Sequence, residues 1–265
     1  MTESTLTVGY STLATRAGAI ELPPARADIE ILIVVQDAPP GFDLGFADRS
    51  DVRVVLDDGI GVARSRNVVL DEAQGRYVLF GDDDATWLVD GIDELMGHLD
   101  RSPRTSIVQG RVADETGRLR KRYPDRVTRL HRWNSAKAGT IELMVRRSDI
   151  VEHRVRFDEG FGAGAVNHLG DEYIFIADAL RAGLRGEFVP VTVAVHAAES
   201  SGLVGGTVED ARSRSAVFER VFGRLAPMPR LLFLLRRPKR FGSVALGCRF
   251  VLGGRAIERA AEEPG

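Results

Sequence analysis

Across the first half of the chain, short apolar runs alternate with stretches whose apolar residues recur at helical spacing. Residues 6–10, 29–35 and 52–56 read as strands. The second is so nearly continuous in Ile, Leu and Val that it predicts a strand buried on both faces, ending at Gln36-Asp37. Residues 64–73 read as a helix closed by Gly75, and 76–80 as a short strand that runs directly into Gly81-Asp82-Asp83-Asp84. Strands alternating with helices in this way predict βαβ units, hence an α/β fold with a mostly parallel sheet flanked by helices.

The second half is less regular. Residues 89–99 have an amphipathic helical pattern, while 106–112 and 139–145 read as further strands. Between those strands, 114–138 is polar, basic and rich in turn formers, the character of a mobile or partner-facing segment. A glycine-rich loop, 157–169, precedes a helix over 171–182 that Gly183 stops. Residues 186–195 form a strand ending at His196, 200–206 a small-residue loop, and helices run to the C-terminus. The predicted organisation is one α/β domain over 1–205, with halves of about 1–112 and 113–205, and a helical extension over 206–265.

Composition narrows the picture only slightly. The 265 residues are 44% hydrophobic and 28% charged with a formal net charge of −2, which suits a globular protein and gives no reason to expect nucleic acid as a partner. Cys248 is the single cysteine, so no disulfide framework exists and a reducing, cytoplasmic setting is expected. Residues 1–11 lack the basic and apolar regions of a secretory signal, and no run reaches the roughly 18 apolar residues of a spanning helix. Charge is nevertheless uneven, because 220–255 holds nine Lys or Arg residues and no Asp or Glu.

The junction at 80–84 carries the chemistry. Parallel α/β sheets bind ligands at the carboxyl ends of their strands. Three adjacent carboxylates there repel one another unless a cation or several donors neutralise them. Mg²⁺ and Mn²⁺ prefer oxygen ligands and take one or two carboxylates plus substrate phosphates, so an Asp-x-Asp turn suits a metal-bound nucleotide diphosphate. An Asp-rich turn that only caps the next element is the plainer reading.

Gly61-Val62-Ala63-Arg64-Ser65-Arg66-Asn67, then Asp71 to Phe80 with its Ala73-Gln74-Gly75, then Asp82-Asp83-Asp84, resemble the core of family 2 glycosyltransferases of the GT-A fold. The resemblance spans about residues 6–200 and lies in the order and spacing of these parts together. It implies transfer of a sugar from a nucleotide diphosphate sugar, with uridine diphosphate favoured, to a hydroxyl of a saccharide or lipid-linked acceptor in bacterial cell-surface glycan synthesis. It further implies Mn²⁺ or Mg²⁺ as cofactor and inversion at the anomeric carbon.

By that resemblance Ser11 and Thr12, following the first strand, and Asp37, following the second, hold the base and ribose. Arg66 matches the arginine of the family's Arg-Asn pair and is expected to contact the nucleotide, with Arg64 a neighbouring candidate. Asp82 or Asp83 meets ribose or metal, Asp84 is the principal metal ligand, and His196 is a further ligand. Gly170-Asp171-Glu172 resembles the family's Gly-Glu-Asp element with its acids in reversed order; either carboxylate can serve as base, and Glu172 is favoured. Independently of the resemblance, a hydroxyl nucleophile needs a carboxylate within hydrogen-bond reach to take its proton. Asp171 and Glu172 also suit a helix N-terminus electrostatically, with no catalytic part.

Ser200, Ser201 and Gly202 are further candidates to close over the diphosphate, and Trp133 a candidate to stack on a sugar. The apolar and basic stretch 229–240 suits either an anionic membrane surface or packing on the catalytic domain or a second subunit. Two rival functions remain: a haloacid-dehalogenase-like phosphatase using Asp82 and Asp84, and a nucleotide-sugar-binding relative without turnover.

Overall fold

The computed structural model describes residues 5–46, 48–196 and 206–253. Its nine strands are β1 (Leu6–Leu13), β2 (Ile29–Gln36), β3 (Val52–Asp57), β4 (Tyr77–Gly81), β5 (Ala85–Trp87), β6 (Ile107–Ala113), β7 (Thr128–Arg129), β8 (Leu143–Arg146) and β9 (Gly186–His196). The helices are α1 (Val62–Glu72), α2 (Val89–Arg101), α3 (Arg147–Glu152), α4 (Asp171–Arg181), α5 (Val208–Phe222), α6 (Pro227–Arg236) and α7 (Val244–Leu252).

One sheet runs β3-β2-β1-β4-β8-β6-β9-β5, with β7 also pairing β9. The block from β3 to β4 is parallel throughout, so the carboxyl ends of β1, β2, β3 and β4 share one rim. Beyond β4 the sheet is mixed: β8 runs antiparallel to β4 and β6, whereas β6 and β9 are parallel.

Alternation along the strands sorts the core into two layers. Leu6, Val8 and Tyr10 of β1 and Ile31, Ile33 and Val35 of β2 point to the face covered by α2 through Ile92, Leu95 and Leu99. Leu32 and Val34 point to the other face, which α1 covers through Val69 and Leu70 and where Phe175 of α4 packs on Phe80 of β4. The result is a three-layer α/β/α sandwich. Gly75, after α1, marks a close approach: a Cβ there would lie 2.4 Å from the Thr7 backbone nitrogen.

The C-terminal helices are attached through α5, whose Val217, Val221 and Phe222 pack on Tyr173, Ile174 and Ala177 of α4. Helices α5 to α7 add a small aromatic core of Phe218, Phe233, Phe241 and Phe250. Pro238 starts a 3-10 turn directly after α6, so α6 and α7 do not run on as one helix.

Two expectations change. Ser11 and Thr12 lie inside β1 rather than after it, because β2 continues to pair with β1 as far as Leu13. The segment expected as a strand over 139–145 opens as a 3-10 turn, Thr140–Glu142, and becomes extended only at Leu143.

Candidate active site

Strand register assembles the site. Pairing of Tyr10 with Gly81 sets Ser11 and Thr12 beside the acidic turn. Thr12 Oγ1 donates to Asp83 Oδ2 at 2.8 Å, and Arg16, just past β1, pairs with the other Asp83 oxygen. Asp83 is thereby buried with both oxygens engaged.

The short strand β5 pairs with β9 so that Ala85 faces His196. This register brings Asp84 Oδ1 to 3.1 Å from His196 Nε2. The His196 hydrogen bond holds the Asp84 carboxyl below the usual range against a partial desolvation, and the ring's charge and Arg16, 4.0 Å away, reinforce the effect. A carboxylate and an imidazole so close, at the end of a sheet, make a donor set that Mn²⁺ or Mg²⁺ accepts. Among the described residues no three His, Cys, Asp or Glu side chains converge as a cage. A cation at Asp84 and His196 would therefore draw its other ligands from a diphosphate and water, the usual habit of Mg²⁺.

Asp82 turns the other way, towards Arg66, with Nη2 3.4 Å from its Oδ1. Arg66 is buried and central: Nη1 pairs with Asp171 Oδ2 and lies 3.6 Å from Glu172 Oε1, while the guanidinium sits over the Phe157 ring at 5.7 Å. Three carboxylates thus surround the fork of the arginine expected to contact the nucleotide. Its Nε has no partner, and neither has the buried Ser11 Oγ. Buried polar atoms left without a partner on expected site residues fit a site that takes a polar ligand.

Asp171 and Glu172 begin α4, behind Gly170 in the left-handed conformation. Burial and then the charge of Glu172 push the Asp171 carboxyl up to about 8, against the pull of Arg66. Burial opposes ionisation of Glu172 too, but Arg66, the Thr140 hydroxyl that donates to it and Lys121 together hold it below the usual range. Glu172 is also the more accessible, with 19% of its side chain exposed against 5% for Asp171. It is thus an ionised carboxylate that keeps part of its surface accessible, whereas Asp171 is locked to Arg66.

The glycine-rich loop closes on this pair. Gly162 has φ +96°, and a Cβ there would lie 2.8 Å from Asp171 Cγ. A backbone bond from Val62 N to Ala163 O fixes the loop against the start of α1, and one from Gly162 N to Asn167 O braces the loop internally. Gly162→Ala is expected to cost about 1–2 kcal/mol from the left-handed backbone alone. It should lower Tm and displace Asp171; an unchanged Tm would show that the loop gives way freely.

Of the other expected residues, those described make no hydrogen bond or ion pair with the carboxylates around Arg66. Asp37 ends β2 on the same rim, exposed and with φ +53°. Arg64 is held by Asp57 at 2.8 Å, away from the carboxylate cluster. Trp133 stands half-exposed with its ring 4.5 Å from Phe222, so its packing partner is α5. Ser200, Ser201 and Gly202 lie outside the described residues. Arg16 and Thr140 were not anticipated. Nothing in their neighbours' pattern marks them, since Arg16 is an isolated arginine and Thr140 stands where a strand was expected.

An α/β/α sandwich with an acidic turn at the carboxyl end of the fourth strand, joined through Arg66 to carboxylates at the start of a helix, has the architecture of the GT-A fold. Residues 25–152 match the family model described as Glycosyl transferase family 2, so this stretch of the chain is similar to that family. No curated protein sequence matches the chain significantly. Among solved structures, S. aureus TarS is similar at 13% identity and a TM-score of 0.58, with 88% of this chain and 43% of TarS covered. S. aureus TarS 1-349 in complex with UDP-GlcNAc is similar at 14% identity and a TM-score of 0.60, covering 91% of this chain and 74% of that one. The chain thus spans less than half the length of full TarS.

Proposed function

We propose that this protein transfers a sugar from a nucleotide diphosphate sugar, a UDP-sugar in the first instance, to a hydroxyl of a saccharide or lipid-linked acceptor, with inversion and with the aid of Mn²⁺ or Mg²⁺. The observation that carries the reading is the meeting, through Arg66, of the acidic turn at Asp82 with the helix-borne pair Asp171 and Glu172. The TarS structure containing UDP-GlcNAc supports the choice of donor class.

In this scheme Ser11 and Asp37 line the nucleoside side of the rim, and Asp84 with His196 provides protein ligands for the metal. When bound, the metal supplies countercharge to the departing diphosphate. The acceptor hydroxyl forms its bond to the anomeric carbon as the bond from that carbon to the phosphate oxygen breaks, and its proton passes to Glu172. Thr140 orients that carboxylate, and Arg66 keeps it ionised before the reaction. A phosphatase using Asp82 as nucleophile is disfavoured by the same contacts, because Asp82 is turned to Arg66 and the family match covers its strand.

The test is a thermal-shift series with nucleoside diphosphates, each with and without Mn²⁺. UDP with Mn²⁺ is expected to raise Tm more than either alone, and Asp84→Ala to abolish the extra increment. At ligand one hundred times its Kd the increment corresponds to about 2.7 kcal/mol. Equal responses from wild type and Asp84→Ala would remove the metal from the scheme.

A further inference from the structure

We propose that α6 and α7 seat the protein peripherally on an anionic lipid surface. The observation is that α6 is apolar on two opposite sides. Phe233 and Leu234 face inward and pack with Phe218, Phe241 and Phe250. Met228, Leu231, Leu232 and Leu235 recur at i, i+3, i+4 and i+7 and are exposed, Met228 to 60% and Leu235 to 70%. A helix on a water-facing surface ordinarily carries a polar outer stripe, and one apolar all round is ordinarily buried. On α7, Val244, Cys248 and Leu252 make a second exposed stripe at i, i+4 and i+8, with Val244 exposed to 85%.

Charge identifies what covers these stripes. The stretch 220–255 has nine Lys or Arg residues and no acid. Three of the basic residues are used internally: Arg220 on Asp158 and Asp178, Arg230 on Glu219, and Arg240 towards Asp210. Arg224, Arg236, Arg237 and Lys239 are exposed and make no ion pair among the described residues. Leucines flanked by unpaired cations match a bilayer whose acyl region takes the leucines and whose phosphates take the cations. A symmetric pairing of this face with a second copy would set the same four cations against each other, which like-charge repulsion disfavours. No helix among the described residues is long and apolar enough to cross a membrane, so the contact is superficial.

The inference does not rest on the transfer reaction, and its test is read without turnover. The full chain is sedimented with vesicles of phosphatidylcholine alone and with vesicles of equal parts phosphatidylcholine and phosphatidylglycerol. Binding is expected to the anionic vesicles and to weaken as salt is raised. Arg236→Gln with Arg237→Gln should lower partitioning about 30-fold, the equivalent of about 1 kcal/mol for each cation at an anionic surface. Leu231→Glu with Leu235→Glu should abolish it, and because both leucines are exposed the variant should keep the wild-type Tm and circular dichroism. Equal partitioning to neutral and anionic vesicles, or retention in the leucine variant, would overturn the proposal. So would a concentration-dependent dimer that the leucine variant dissolves while vesicles bind nothing, since a second copy would then own the face.

Discussion

Glu172→Gln is expected to lower kcat by about 10²–10⁴-fold, the ordinary loss on removing a general base. The Tm increment given by UDP and Mn²⁺ should stay intact. The amide keeps the size of the carboxylate and still accepts from Thr140, so geometry is preserved while the proton acceptor is lost. The matching variant, Asp171→Asn, discriminates the two acids. Asp171 is locked to Arg66 and raised by burial, so it is a poor base at neutral pH, and its amide should affect stability more than kcat. Measured kcat and KM for both variants decide the assignment: a dead Asp171→Asn beside an active Glu172→Gln would reverse it. A wild-type protein that binds UDP with Mn²⁺ yet neither transfers nor hydrolyses any donor would instead be a binding relative, the rival that the reversed Asp171-Glu172 order suggested.

The parallel half of the fold was legible because its inner strands β1, β2 and β4 are buried on both faces, and such strands read as unbroken apolar runs, as β2 does. The acid-rich turn was legible for the complementary reason, that charge repulsion at a strand end needs an explanation. What each acid does was not. Asp82, Asp83 and Asp84 look alike in sequence, and they are separated only by two registers, β4 on β1 and β5 on β9. The second depends on a three-residue strand too short to show any alternation. His196 was reachable as the end of an apolar strand, but its partner Asp84 was fixed only by that pairing. Arg66 shows the limit most clearly. The Arg-Asn pair marked it as important, yet whether its guanidinium meets a nucleotide or three carboxylates depends on the approach of α4, more than a hundred residues later in the chain, as the separation of 105 to Asp171 records.

That position carries the second large effect. Arg66→Met is expected to destabilise the fold by about 3–5 kcal/mol, the range for removing one member of a buried ion cluster and leaving the others uncompensated. Methionine retains bulk against Phe157, so most of the loss should be electrostatic, and pH separates the two contributions. In the wild type Asp171 has a folded value of about 8, above its unfolded value near 4. A carboxyl raised on folding binds its proton more tightly in the native state. Its stabilising contribution is complete below about pH 4 and is lost as pH rises towards about 8. Without the guanidinium, the attraction that now opposes this rise disappears for Asp171, and Asp82 and Glu172 lose theirs as well. The native state of the variant should therefore hold more protons over the same window, and its stability should fall more steeply with pH. Urea unfolding at about pH 5 and about pH 8 measures this directly: the deficit of Arg66→Met should be larger at the higher pH. A deficit equal at both would mean that Arg66 supports the site by packing on Phe157, and that the three carboxylates are neutralised by something other than its charge.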